Sequence, residues 1–110
     1  MSEGYTVSYT PEAYKDLGDI YSYISSVLQE KGTASSLIRR LRKEIASLSV
    51  FPQRYNSVEW EPWASMDVRK MPVEHYIVYY YADTERKVVT ILRIFYGGRD
   101  VESIITMETD

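Results

Sequence analysis

The 110-residue chain contains no cysteine and one histidine, His75. The first absence excludes a disulfide framework and thiolate metal sites. A single imidazole excludes a multi-histidine zinc centre and argues against a serine or cysteine triad. No metal and no cofactor are therefore expected. Long apolar runs are also missing. The longest stretch, Tyr76 to Ala82, is far short of the roughly 20 residues that span a bilayer. Met1 to Thr10 is polar and lacks the basic start and apolar run of an export signal. A cytoplasmic location and no membrane partner are expected.

What is present has the balance of an ordinary globule: 45% apolar and 26% charged residues, which excludes a disordered chain and a fibre. The length suits one domain over residues 1–110. The net charge is −3 and the pI about 5.2, unlike the basic stripe of most nucleic-acid binders. The charge is uneven, however. It is −3 over residues 1–38, +1 over 39–68, +2 over 69–100 and −3 over 101–110. The middle of the chain can therefore form a locally positive surface. Eleven tyrosines are an excess, and tyrosine is common at recognition surfaces.

Tyr5, Val7 and Tyr9 alternate with small polar residues, the period of a short strand. Thr10-Pro11-Glu12 is a helix start: a Thr cap, Pro at the first position and an acid in the first turn. Ala13, Leu17, Ile20, Tyr21, Ile24, Val27 and Leu28 then make a helical stripe. Gly32 is expected to end that helix. A second stripe runs from Ala34 through Leu37, Leu41 and Ile45 to Leu48, with Pro52 forbidding continuation. So short a link makes the two helices an antiparallel hairpin. Residues 53–67, with Trp60 and Trp63, read as a loop holding at most a short strand. Strands are expected at Val68–Met71, His75–Ala82 and Val88–Tyr96. The last is apolar at nearly every position, which marks a central strand covered on both faces. Asp100 can cap a final helix through Ile105. The expected fold class is α+β: an N-terminal strand, then a helical hairpin packed on an antiparallel sheet of about four strands, and a short C-terminal helix.

Three segments carry a resemblance: Val68-Arg69-Lys70-Met71-Pro72, His75-Tyr76-Ile77-Val78-Tyr79-Tyr80, and Ile91-Leu92-Arg93-Ile94-Phe95-Tyr96-Gly97-Gly98-Arg99-Asp100. Together they resemble the RelE/ParE superfamily of type II toxin–antitoxin toxins. Members show an arginine on the second strand, a "Y-x-x-Y" strand and a last strand of the form "ILRI-x-x-G-x-R-D". The likeness covers roughly residues 5–106. It implies a growth inhibitor neutralised by a small antitoxin that folds on binding, through a helix in an apolar groove or an added strand.

The superfamily has two chemistries. RelE-like members cut messenger RNA in the ribosomal A site with basic residues on the sheet's concave face. ParE-like members lack those residues and poison DNA gyrase by binding. Arg69 matches the basic position on the second strand and Arg99 the one after the last strand. Tyr76 stands where RelE-like enzymes carry an arginine, and Ile105 where they carry a C-terminal tyrosine. Cleavage needs a phosphate clamp and proton transfers, each worth roughly 10²–10⁴-fold. Arg69 and Arg99 can clamp an anion, with Lys70 beside them. Only His75 can move a proton near neutrality. The resemblance thus implies a ParE-like inhibitor of gyrase, with Arg69, Lys70 and Arg99 as the target- or anion-binding set. The alternative is a ribosome-dependent endoribonuclease using Arg69, Arg99 and His75. A further alternative is a non-toxic relative that only binds an antitoxin, which fits the acidic pI.

Other residues have structural readings beside functional ones. Arg93, a charge inside an apolar strand, needs a partner such as Glu44 or Asp100. Successive tyrosines from Tyr79 to Tyr81 must point to opposite faces, so half of them pack rather than stack on bases. Arg39, Arg40, Arg42 and Lys43 form either a solvated helix face or a contact for an acidic partner. Trp60 and Trp63 are core plugs or an exposed hot spot.

Overall fold

A computed structural model describes residues 4–109. Strand β1 (Thr6–Tyr9) leads through Thr10 into helix α1 (Pro11–Ser22). The Thr10 hydroxyl caps it as the sequence predicts, accepting from the Ala13 amide at 3.1 Å. Helix α1 widens into a π-turn over Tyr23–Val27, and helix α2 (Lys31–Ala46) runs back. Strands β2 (Arg69–Val73), β3 (Tyr76–Asp83) and β4 (Val88–Tyr96) follow, then helix α3 (Val101–Thr109).

The helical hairpin ends differently from expectation. Gly32 lies in the first turn of α2, and Gln29 instead takes the left-handed conformation, at φ 57°. The π-turn carries the chain past the expected stop: Leu28 N–H donates to Tyr23 O at 3.1 Å and Glu30 N–H to Ile24 O at 2.9 Å. Its wider pitch shifts the phase of the apolar stripe. Val27 and Leu28, at the stripe's end, consequently stand exposed.

The sheet order is β1-β4-β3-β2. The pairs β2·β3 and β3·β4 are antiparallel, as expected, but β1 lies parallel to β4 and makes the sheet mixed. The reason is one reversal fewer than a fold-back of α1 would give. Helix α1 does not return over β1; it continues in β1's direction along the far half of β4. Strand β1 ends opposite Ile91. From there Thr10 takes over β4's edge, its hydroxyl donating to Ile91 O and Leu92 O at 3.0 Å each. Asp16 continues it by accepting the Ile94 amide at 2.8 Å. Pro72 is tolerated in β2 because β2 is an edge strand.

Each face of the sheet carries its own core. Under the hairpin lie Leu41, Ile45, Leu48, Met71, Tyr80 and Ile91, all fully buried. Each side chain of this size contributes roughly 1.5–3 kcal/mol by leaving water. On the other face Trp63, Tyr79, Phe95, Val101 and Ile105 pack beneath the loop and α3. Strand β4 is thus central and covered on both sides, as its composition predicts. Tyr79 and Tyr80 go to opposite cores. A bulge at Leu92 lets β4 pair Arg93 with Tyr79 but Ile91 with Tyr80.

Candidate functional site

The cationic residues singled out in the sequence do not form one surface. Arg69 faces the loop that doubles back along β2. Its Nη1 donates to Gln53 O at 3.1 Å and Tyr55 O at 2.8 Å. Its Nη2 meets Asp67 at 3.2 Å, leaving the side chain 20% exposed. Two main-chain carbonyls and a carboxylate therefore occupy this guanidinium. Lys70 is exposed and, by strand alternation, points to the other face of β2.

Arg99 lies elsewhere. Arg69 sits opposite Tyr80, whereas Arg99 follows Tyr96, which pairs with Tyr76. Four residues of β3 separate the two levels, roughly 13 Å along the strand. Arg99 is exposed, its guanidinium 5.3 Å above the Phe95 ring. Among the described residues no carboxylate pairs with it. His75 is exposed in the two-residue turn between β2 and β3, and its carbonyl accepts the Gly97 amide at 2.8 Å. A side chain at Gly97 would place its Cβ 3.2 Å from that carbonyl oxygen, so the close approach suits glycine.

Arg93 needs a partner, as the sequence predicts, but takes neither Glu44 nor Asp100. The bulge aims it at α1 and α3. Its Nε and Nη2 hold Asp16 at 2.9 and 3.2 Å. Its Nη1 reaches Glu108 at 2.9 Å, and the guanidinium lies 4.5 Å from the Phe95 ring centre. Glu44 pairs with Arg40 instead. Asp100 accepts from the Ser103 hydroxyl at 2.9 Å in the first turn of α3. Neither Asp16 nor Glu108 stood out in the sequence. Asp16 sits beside Leu17 on a helix that reads as amphipathic, and Glu108 is one of three acids in the terminal segment.

Arg93, Arg99 and His75 border one feature, a groove of about 1020 Å3 between the hairpin and the open end of the sheet. Ile20, Tyr23, Ile24 and Leu37 form its helical wall, with Tyr76, Ile94 and Tyr96 across from them. Tyr23, Leu28 and Tyr96 are half exposed there. Tyr76 and Tyr96 meet edge to face at 5.7 Å. Burial, and then the neighbouring Tyr96 and Tyr23, push the Tyr76 hydroxyl above its ordinary pKa, so Tyr76 presents a neutral, hydrogen-bonding phenol to the groove. Arg40 adds charge at the rim, held by Glu74 at 3.1 Å. The groove offers apolar surface with cations at its edge, suited to an amphipathic segment.

The two tryptophans divide the roles open to them. Trp63 is a core plug, 5.1 Å from Tyr79. Trp60 stacks on its outer side at 5.0 Å and remains partly exposed. Among the described residues no cluster of acidic or histidine side chains could hold a metal, and no helix is long and apolar enough to cross a membrane.

Comparison with known proteins agrees with this architecture. No curated protein matches the sequence. Among solved structures, the chromosomal ParDE system of P. aeruginosa superposes with a TM-score of 0.70 at 22% identity, covering 86% of this chain and 98% of that one. A substituted E. coli RelE in the free state gives 0.66 at 15% identity, covering 96% and 97%. The RelBE2 toxin–antitoxin complex of Mycobacterium tuberculosis gives 0.58 at 22% identity, covering 84% and 91%. At these identities the likeness shows the fold. The sequence profile of the ParE toxin of type II toxin–antitoxin systems matches residues 7–101, most of the chain. The protein belongs to that toxin family, within the wider RelE/ParE superfamily.

Proposed function

We propose that this toxin acts in the cytoplasm as one domain over residues 1–110, inhibiting growth by binding DNA gyrase rather than by cutting RNA. The observation that carries the reading is the engagement of its arginines. Arg69 is spent on two carbonyls and Asp67, and Arg93 on Asp16 and Glu108. The sheet face away from the hairpin is filled by Trp63, Phe95, Val101 and Ile105. A strand of RNA would have to displace that packing to reach the sheet. Arg99 and Lys70 remain as exposed cations for a target surface.

Neutralisation fits the groove. Structures similar to this chain include toxin–antitoxin complexes. An antitoxin segment with an apolar stripe and flanking acids would lie between Tyr23 and Tyr96, its carboxylates meeting Arg99.

Induced expression without an antitoxin tests the reading. Growth should stop, the DNA-damage response should rise and messages should stay intact. Growth arrest without DNA damage, with messages cut at the ribosomal A site, would establish the nuclease. One observation favours that second reading: Arg99 and His75 border the same groove with exposed side chains. Undisturbed growth would leave only the antitoxin-binding relative.

A further inference from the structure

Phe51 stands in the left-handed region, at φ 48° and ψ 62°, directly before Pro52. Both facts work against it. A bulky L-residue rarely adopts that conformation, and a residue preceding proline is pushed toward extended backbone. Packing does not compensate, because the side chain is 65% exposed and the neighbouring Val50 is 67% exposed. Glycine or asparagine would satisfy the turn at lower cost.

The turn is nonetheless held from three directions. Arg54 Nη1 donates to Val50 O at 2.7 Å and Phe51 O at 3.3 Å. The buried Tyr80 hydroxyl donates to Pro52 O at 2.6 Å. Arg69 takes the next carbonyls, Gln53 O and Tyr55 O. Donors from the turn itself, β3 and β2 thus hold five carbonyls within residues 50–55. The fold fixes an exposed aromatic ring on a rigid, unfavourable backbone. Strain that the surroundings maintain is characteristic of functional positions, and a preordered aromatic anchor loses little entropy on binding.

We propose that the Val50–Phe51 turn is the apolar anchor by which this toxin grips a pocket on its protein target. The inference rests on the reading of the chain as a toxin that acts by binding. The site lies apart from the groove: α2 lines the groove from Thr33 to Arg40, whereas the turn follows the helix end at Ala46, and the stretch from Arg40 to Ala46 alone spans about 9 Å. An antitoxin segment in the groove leaves the turn free. Exposed Arg54 lies against the apolar pair, and exposed Lys43 stands one helical turn before Ser47, which Arg54 also holds, so a pocket rimmed by carboxylates fits it. A second copy of the same cationic surface would be repelled. Val50 beside Phe51 presents a rounded aliphatic and aromatic knob, which suits a protein pocket better than a nucleobase.

Induced expression of Phe51→Gly, Phe51→Leu and Phe51→Tyr tests the proposal, with thermal melting of each purified chain as the control for folding. Phe51→Gly should melt at or above the wild-type temperature because the turn is relieved, yet need on the order of tenfold more protein to arrest growth. Phe51→Leu should keep most of the potency, since an apolar pocket accepts it. Full potency in Phe51→Gly overturns the proposal, as does a lower melting temperature, which would show the ring to be packed rather than presented. Potency kept by Phe51→Tyr but lost by Phe51→Leu would indicate base stacking and also overturn it. Growth arrest by the wild type with gyrase unaffected defeats the gyrase reading alone, since these variants are scored on arrest whatever the target.

Discussion

Asp16 holds Arg93 through both carboxylate oxygens, at 2.9 and 3.2 Å, and accepts the Ile94 amide at 2.8 Å. This one side chain joins α1 to the stretch of β4 that β1 leaves unpaired. Arg93 extends the link to α3 through Glu108. The pair is largely buried, with side-chain exposures of 16% and 10%.

Removing Asp16 leaves the largely buried Arg93 with only the exposed Glu108 and strips the Ile94 amide of its acceptor. Asp16→Ala should therefore cost about 3–5 kcal/mol of stability in urea unfolding. Asp16→Asn should cost less, because its amide oxygen can still accept from Ile94. In a double-mutant cycle, Asp16→Asn with Arg93→Met should lose less than the sum of the single changes. Strict additivity would mean that the pair is uncoupled.

Arg69 and Arg99 should separate in their effects. Arg69→Ala removes the donors to Gln53 O and Tyr55 O and should lower stability by about 2 kcal/mol, with a lower melting temperature. Arg99→Ala removes an exposed side chain and should leave melting unchanged while weakening toxicity or neutralisation. Equal melting shifts in the two variants would contradict this division.

The buried Tyr80 hydroxyl, shielded from water and only partly offset by Arg69 and Arg54, has its pKa pushed up to about 12. Its folded-state value thus exceeds its unfolded value near 10. The stabilisation is complete below pH 10 and is lost as pH rises from 10 toward 12, by about 2–3 kcal/mol in total. Burial also raises Tyr9 and Tyr79, so they add in the same direction. Unfolding free energies at pH 8, 10 and 11 should fall along this line. Tyr80→Phe should flatten the slope while lowering stability at pH 8 through loss of the donor to Pro52 O.

Trp63 fills the core between the loop and β3. Trp63→Ala should cost about 3–5 kcal/mol through the cavity it leaves. Trp60→Ala, removing only the partly buried outer ring, should cost clearly less. Similar losses in denaturant melts would contradict the assignment of Trp63 as the plug.

Much of this fold is legible from periodicity. The stripes of α1 and α2, the Thr10 cap and the apolar run of β4 are local patterns, and local patterns decide local structure. Direction is not local. That β1 lies parallel to β4 depends on α1 running on past β4's midpoint, which no spacing in residues 5–28 encodes. The same holds for the site. Arg69 and Arg99 are visible as cations in a familiar setting, but what each one meets, the loop returning along β2 for Arg69 and the Phe95 ring for Arg99, is set by the fold. Asp16, Glu108 and Phe51 carry no sequence signal strong enough to find them. Their roles arise from partners 77 residues away for Asp16, 15 for Glu108, and from the backbone angle for Phe51.

The central claim is that this chain stops growth by holding its target rather than by breaking bonds. Adding the purified chain to DNA gyrase, relaxed plasmid and ATP tests it most directly. Supercoiling should fall in proportion to the chain until it matches gyrase in stoichiometry, and Phe51→Gly should inhibit far less. Undiminished supercoiling at saturating protein would contradict the account.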